Sequence, residues 1–102
     1  MITRLWRGWT RAQDADAYED FLLDELFPAM LAIDGFLSAD VLTRSDGDEV
    51  AFVTLTRFAS LDAIRTFAGP EYETPVLEPR ARDLLARYDE VAQRFETRSF
   101  ER

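Results

Sequence analysis

The hydrophobic positions of the chain change period several times, and each change predicts a new element of secondary structure. Residues 2–10 carry apolar side chains on both faces of a period-two pattern, as in a strand that is covered on both sides. Residues 18–33 repeat their apolar side chains at helical spacing, with acidic residues largely off that stripe. The chain therefore begins with a strand followed by an amphipathic helix.

Local signals mark both ends of this helix and a break inside it. Thr10 and Gln13 have the spacing of a capping box, which predicts that the helix begins there. Pro28 lacks a backbone donor and clashes with the preceding turn, so we expect a kink near residues 26–27. The Asp-Gly pair at residues 34–35 predicts the end of the helix.

The next stretch predicts a hairpin of two strands. Residues 36–44 resume period two, and residues 49–58 are rich in β-branched and aromatic side chains. Asp46-Gly47 between them is a typical hairpin turn. Because both faces of residues 49–58 are mostly apolar, this third element is expected at the centre of a sheet.

The last third of the chain predicts two short helices and a strand. Ser60 is a typical N-cap, and Gly69-Pro70 ends a helix of about two turns. After an irregular segment, Pro79 begins a short helix through residue 85. Residues 88–100 alternate again and predict a fourth strand.

The resulting order β-α-β-β-α-β predicts a single α+β domain, residues 1–102, with a ferredoxin-like antiparallel sheet. In that topology the first and third strands are central, and the helices cover only one face of the sheet. The other face still carries apolar side chains, and burying it requires another layer. We therefore expect a homodimer that pairs the open faces of two copies.

Composition excludes several classes of function. The net charge of −8, from 20 acidic and 12 basic residues, disfavours nucleic acid and anionic lipid as partners. The chain has neither cysteine nor histidine, which excludes disulfides, thiolate catalysis and the usual zinc or haem ligands. No apolar run approaches the roughly 20 residues of a membrane span. We expect a cytoplasmic protein without metal or cofactor.

A series of segments, in this order and spacing, resembles the antibiotic biosynthesis monooxygenase-like family across nearly the whole chain. The segments are ITRLWRGWT, DADAYEDFL, LFPAMLAIDGF, VAFVTLTRF, SLDAIRTFAG, EYETPV, EPRARDLL and RYDE. The resemblance implies small ferredoxin-like subunits that pair into a dimeric α+β barrel. It also implies, as one activity of the family, oxidation of polycyclic aromatic phenols by molecular oxygen without cofactor or metal. Many relatives have no known activity.

The chain departs from this family in its last strand. Relatives with a similar pattern often end that strand with His-Tyr-Glu-Val, whereas residues 94–97 here are Arg-Phe-Glu-Thr. The haem-degrading branch uses an axial histidine, which a chain without histidine cannot supply. Two hypotheses remain: a cofactor-independent oxygenase that acts on a hydrophobic aromatic compound, and a non-catalytic ligand-binding or assembly module with the same barrel.

The resemblance implies a pocket between the sheet and the helices and so points to candidate site residues. Trp6, Phe67, Tyr72 and Tyr88 are the candidate walls, because rings suit a flat aromatic ligand. Tyr72, in the segment between the short helices, is the candidate catalytic proton donor. The alternative interpretation is that the rings fill the core or the dimer interface and that Tyr72 belongs to an ordinary solvated loop.

Charged residues offer further candidates. Four arginines are cations that suit a phenolate: Arg7, Arg57, Arg80 and Arg82. Surface ion pairing is the favoured interpretation for each of them. Six carboxylates spread around the first helix favour a solvated acidic face over a metal site: Asp14, Asp16, Glu19, Asp20, Asp24 and Glu25.

Overall fold

The structure is a computed structural model that describes residues 1–102, and its centre is a five-stranded antiparallel sheet. The strands are β1 (Ile2–Arg11), β2 (Phe36–Asp46), β3 (Glu49–Phe58), β4 (Leu85–Tyr88) and β5 (Gln93–Glu96). Their order is β2-β3-β1-β4, and β5 also pairs with β1. The ferredoxin-like α+β architecture and the central position of β1 and β3 are therefore as predicted.

Helices lie on one face of this sheet. They are α1 (Ala15–Phe21), α2 (Phe27–Met30), α3 (Leu61–Ala68) and α4 (Pro79–Leu84). A 3₁₀ turn, Ala12–Asp14, precedes α1, and a π-helical turn, Leu22–Leu26, joins α1 to α2. None of the helices combines the length and the apolar character that crossing a membrane requires.

The first helical region shows one correction. A π-helical turn, Leu22–Leu26, lies shortly before Pro28, and the kink near residues 26–27 stays a prediction. The predicted capping box at Thr10 is wrong, because the Thr10 hydroxyl is fully enclosed and makes no hydrogen bond. The physical reason is that β1 continues to Arg11, so Thr10 lies within the strand and beneath the helices rather than at a helix start.

The hairpin and α3 agree with their sequence signals. Gly47 in the turn has a φ of 63°, which favours glycine. The Ser60 hydroxyl accepts a hydrogen bond from the Ala63 amide at 3.3 Å, as an N-cap does. Gly69, with a φ of 89°, follows the last residue of α3.

The predicted fourth strand is interrupted, which corrects the sequence interpretation. β4 begins at Leu85, earlier than expected, and the chain leaves the sheet between Tyr88 and Gln93. In this gap the Ala92 amide donates a hydrogen bond at 2.9 Å to the carbonyl of Glu73. That amide is therefore turned toward the segment after α3 instead of pairing with β1.

The two faces of the sheet differ. Under the helices lie two buried clusters, one around Phe58 and Ile64 and the other around Tyr18 and Phe52. The open face, which no helix covers, carries six half-buried or exposed apolar side chains: Leu5, Trp9, Leu42, Val53, Leu55 and Phe95. The open face is thus the apolar surface from which the dimer was expected.

Candidate functional site

A cavity of about 20 Å³ lies between the sheet and the helices. Of its twelve lining residues nine are hydrophobic, and five carry rings: Trp6, Tyr18, Phe21, Phe27 and Phe67. A volume of this size holds about one water molecule, whereas pockets for small-molecule ligands enclose roughly 300–1,000 Å³. The residues around the cavity therefore suit an aromatic compound, but the space that they enclose is the size of one water molecule.

Arg4 brings a positive charge to this cavity from β1. The residue is only 5% exposed. Its Nη2 donates to the carbonyl of Thr74 at 2.5 Å, its Nε donates to the carbonyl of Tyr72 at 3.4 Å, and its guanidinium lies 5.4 Å from the Phe67 ring centre. Burial lowers the pKa of Arg4 to about 10, and the charge of Glu73 acts in the opposite direction.

Sequence reasoning did not select Arg4, although a signal for it was present. Arg4 stands between Ile2 and Trp6 in the period-two pattern of β1, so all three share one face of the strand. That is the face covered by the helices, and a charge placed there needs polar partners. The partners are backbone carbonyls of the segment after α3, which the pattern of β1 does not reveal.

Tyr18, on α1, contributes a second polar group to the cavity. It is 1% exposed, and its ring packs edge-on against Phe52 with 4.9 Å between ring centres. Burial raises the pKa of the Tyr18 phenol well above its ordinary value, because the charged form would lose its hydration. Tyr18 therefore remains neutral and is able to donate a hydrogen bond.

Two of the four predicted wall residues line the cavity. Trp6 is buried, and its indole Nε1 donates to the carbonyl of Asp89 at 2.6 Å, which fixes the ring. Phe67, in the last turn of α3, packs against Phe58 with 6.0 Å between ring centres. These contacts hold both rings firmly, and their binding of a ligand stays a prediction.

The other two predicted wall residues lie outside the cavity. The Tyr72 hydroxyl accepts a hydrogen bond from Arg65 at 2.6 Å, and the Arg94 guanidinium lies over the Tyr72 ring, 5.1 Å from the ring centre. Tyr88 packs 5.7 Å from Trp6 and borders an open surface groove. The role of Tyr72 as a proton donor stays a prediction, and the residue reaches the cavity only through its carbonyl, which binds Arg4.

The four arginines chosen from the sequence lie at the surface. Arg7 pairs with Asp89 at 2.7 Å, Arg57 with Asp40 at 2.7 Å and Arg80 with Glu25 at 3.6 Å, as the favoured interpretation expected. Arg82 is exposed on α4 and forms no ion pair. No group of three or more acidic side chains converges on a point where a metal ion would bind.

The segment of residues 69–78 forms one wall of the cavity. It joins α3 to α4 without helix or strand, and Val76 lines the cavity. Besides the bonds from Arg4, the segment accepts a hydrogen bond at its Glu73 carbonyl from the Ala92 amide, which lies between β4 and β5, at 2.9 Å. The cavity is therefore bordered on this side by a segment that few hydrogen bonds hold in place.

The fold and this interior define a class: a ferredoxin-like α+β subunit with a ring-lined cavity between sheet and helices. No family model matches the chain, and no curated protein matches it. Six chains of solved structures match. One is Rv0793 from Mycobacterium tuberculosis, with a TM-score of 0.66, 22% identity and coverage of 97% of this chain and 96% of that chain.

A second solved structure extends the comparison. It is a Bacillus cereus protein provisionally named as an antibiotic biosynthesis monooxygenase, with a TM-score of 0.60 and 14% identity. The match covers 99% of this chain and 94% of that chain. At these identities the likeness establishes a shared fold over almost the full length of both chains.

Proposed function

We propose that the protein is a member of the antibiotic biosynthesis monooxygenase-like family that binds a planar hydrophobic aromatic compound in its interior cavity. The observation that carries this proposal is the set of five rings around the cavity, held by packing and by the bond from Trp6 to the Asp89 carbonyl. Flat rings fixed in this way offer a large stacking area at low entropic cost. The Bacillus cereus protein, which shares the fold, is provisionally named as an antibiotic biosynthesis monooxygenase, and this supports membership of that family.

The reaction that we propose for this site is oxygenation without a cofactor. A substrate CH₂ group and one molecule of O₂ become a ketone and one molecule of water, so the substrate itself supplies the electrons. The protein would bind the ring system, exclude water and stabilise negative charge that develops on the substrate oxygen. Arg4 is the buried cation in a position to provide that last contribution.

Binding requires the cavity to enlarge from its present volume of about 20 Å³. Residues 69–78 are the wall with the least regular structure, so we propose that this segment moves outward when a ligand enters. Trp6 and Phe67 would stay in place as stacking surfaces because a strand and a helix hold them.

The closed interior favours a second candidate function, a non-catalytic assembly module. In that case the rings are core, and the open face is the functional surface. In both cases we propose a homodimer formed through the open face, because an exposed apolar sheet needs a covering layer.

The absence of cysteine from the chain supports a location in the cytoplasm.

Oxygen uptake with anthrone as the probe separates the two candidates. We expect uptake by the wild-type protein and its loss in Trp6→Ala, whose folding is checked by thermal unfolding. Tyr72→Phe tests the proton donor: loss of uptake supports that role, and unchanged uptake removes Tyr72 from the mechanism. No uptake and no anthrone binding by the wild-type protein would leave the assembly module as the function.

A further inference from the structure

The cavity contains hydrogen-bonding groups that the protein does not use. Arg4 Nη1, Tyr18 Oη and Thr56 Oγ1 make no hydrogen bond to the protein, although all three residues line the cavity. Thr10 Oγ1 is the one fully enclosed side-chain polar atom that lacks a partner, so the protein does not fully enclose these three atoms. Donors on Arg4 and Tyr18 are therefore available to a molecule that occupies the cavity.

The positive charge of Arg4 lacks an anionic hydrogen-bonding partner. Its guanidinium is bound to two neutral carbonyls and a ring face, and it forms no ion pair with a carboxylate. A buried charge is costly unless it is paired, and charge-assisted hydrogen bonds are about twice as strong as neutral ones. An anionic oxygen would therefore be a better partner for Arg4 than the carbonyls of Tyr72 and Thr74.

We propose that Arg4 binds an anionic oxygen of the aromatic ligand, with Tyr18 donating a second hydrogen bond to the same oxygen. This assignment rests on the proposed function and names the ligand class, which is an aromatic carboxylate or phenolate. Tyr18 suits the role because a neutral phenol donates a hydrogen bond to an anion, whereas an ionised one would repel it.

Anion binding at Arg4 also releases the wall of the cavity. Besides the free Nη1, a planar anion engages a second nitrogen of the guanidinium, and the Nε and Nη2 atoms now hold the carbonyls of Tyr72 and Thr74. When these donors turn to the ligand, residues 69–78 lose their ties to β1. The wall that contains Val76 then opens, and the same guanidinium recognises the ligand and makes room for it.

The test compares 2-naphthoate with 2-naphthamide, which has the same shape but no charge. In calorimetric titrations of the wild-type protein we expect 2-naphthoate to bind at least about 10-fold more tightly. Arg4→Met should remove this preference, and Tyr18→Phe should reduce it. Arg80→Met is the matched control, because Arg80 is an exposed arginine paired with Glu25, and it should keep the full preference.

Each outcome of the titrations supports or overturns the assignment of Arg4 as the residue that binds the anion. Equal binding of both compounds by the wild-type protein overturns the anion assignment and leaves the proposed function standing, whereas no binding of either compound overturns both. A preference that survives in Arg4→Met also overturns the assignment. If Arg4→Met does not fold, Arg4→Lys replaces it and should weaken the preference, because lysine lacks the planar fork of arginine; an unchanged preference overturns the assignment.

Hydrogen exchange tests the release of the wall. We expect the amides of residues 69–78 and Ala92 to exchange faster when 2-naphthoate is bound, and faster still in Arg4→Met without ligand. 2-Naphthamide should leave their exchange closer to that of the free protein. Unchanged or slower exchange on binding of 2-naphthoate would overturn the release.

Discussion

Tyr18 is held neutral by the fold, and this has a consequence for stability. Its phenol has a higher pKa in the folded protein than in the unfolded chain because of burial. The folded state therefore keeps its proton at a pH where the unfolded chain loses it. Stability from this group is fully present below the unfolded pKa of about 10 and is lost progressively as the pH rises above it.

We expect Tyr18→Phe to remove the loss of stability that burial of the Tyr18 phenol causes at high pH. Between about pH 9 and pH 11 the stability of the wild-type protein should fall by about 1 kcal/mol more than that of Tyr18→Phe. The opposite contribution of Arg4, whose pKa is lowered to about 10, is present in both proteins and cancels. Urea unfolding at the two pH values measures the difference; a difference that does not change with pH would contradict the burial of a neutral phenol.

Single residues also show where sequence reasoning stops. Trp6 lies beneath the helices, at the space between sheet and helices where the resemblance implied a pocket. The period-two pattern of β1 alone does not tell which of its two apolar faces the helices cover. The same pattern could not show why Arg4 tolerates that face, since its carbonyl partners lie 68 and 70 residues further along the chain. The phenol and the loop position of Tyr72 predict a role in the site, and its side chain lies against Arg65, outside the cavity.

Among the elements, local signals predicted those whose causes are local. The bounds of β3, Glu49–Phe58, agree with the prediction, because turn and strand signals are contiguous there. The gap between β4 and β5 was not predicted, because the Ala92 amide bonds to Glu73 in a different segment. The capping box failed for a similar reason: burial of Thr10 in β1 overrode the local spacing.

Gly35, between α2 and β2, and Gly47, between β2 and β3, lie in connections between elements and differ in how closely they are packed. Gly35 and Gly47 both have positive φ, at 94° and 63°, so alanine is strained at either position. At Gly35 an added Cβ would also lie 2.9 Å from the Cβ of Ala63, whereas at Gly47 it would meet nothing within 4 Å. The first glycine is thus restricted by packing as well as by backbone conformation.

We expect Gly47→Ala to cost about 1 kcal/mol and Gly35→Ala about 1–3 kcal/mol more, because only Gly35→Ala adds a collision in the core. Urea unfolding of the two variants measures this difference directly. Equal losses would show that α3 moves away from Gly35 without cost and would contradict the tight contact described here.

At the scale of the whole molecule, the open face is an apolar surface that no other part of the chain covers. Leu55 lies opposite Leu5 in the register of β1 and β3, at the centre of that face. Leu31, which is 75% exposed, offers a matched apolar position on the helical side of the molecule. In the proposed homodimer a charge at position 55 would be buried between two copies, whereas a charge at position 31 would remain in water.

We expect the wild-type protein to sediment as a dimer at micromolar concentration and Leu55→Glu to sediment as a monomer. Leu31→Glu should remain a dimer. A wild-type monomer, or a dimer that Leu31→Glu dissociates and Leu55→Glu does not, would contradict assembly through the open face.

The space between the sheet and the helices is the proposed ligand site, and NMR mapping of a bound aromatic compound tests this most directly. On titration with 2-naphthol, we expect the largest amide shifts near Arg4, Trp6, Tyr18 and Phe67 and in residues 69–78. Shifts confined to the open face around Leu42 and Val53, or no shifts at all, would contradict the claim.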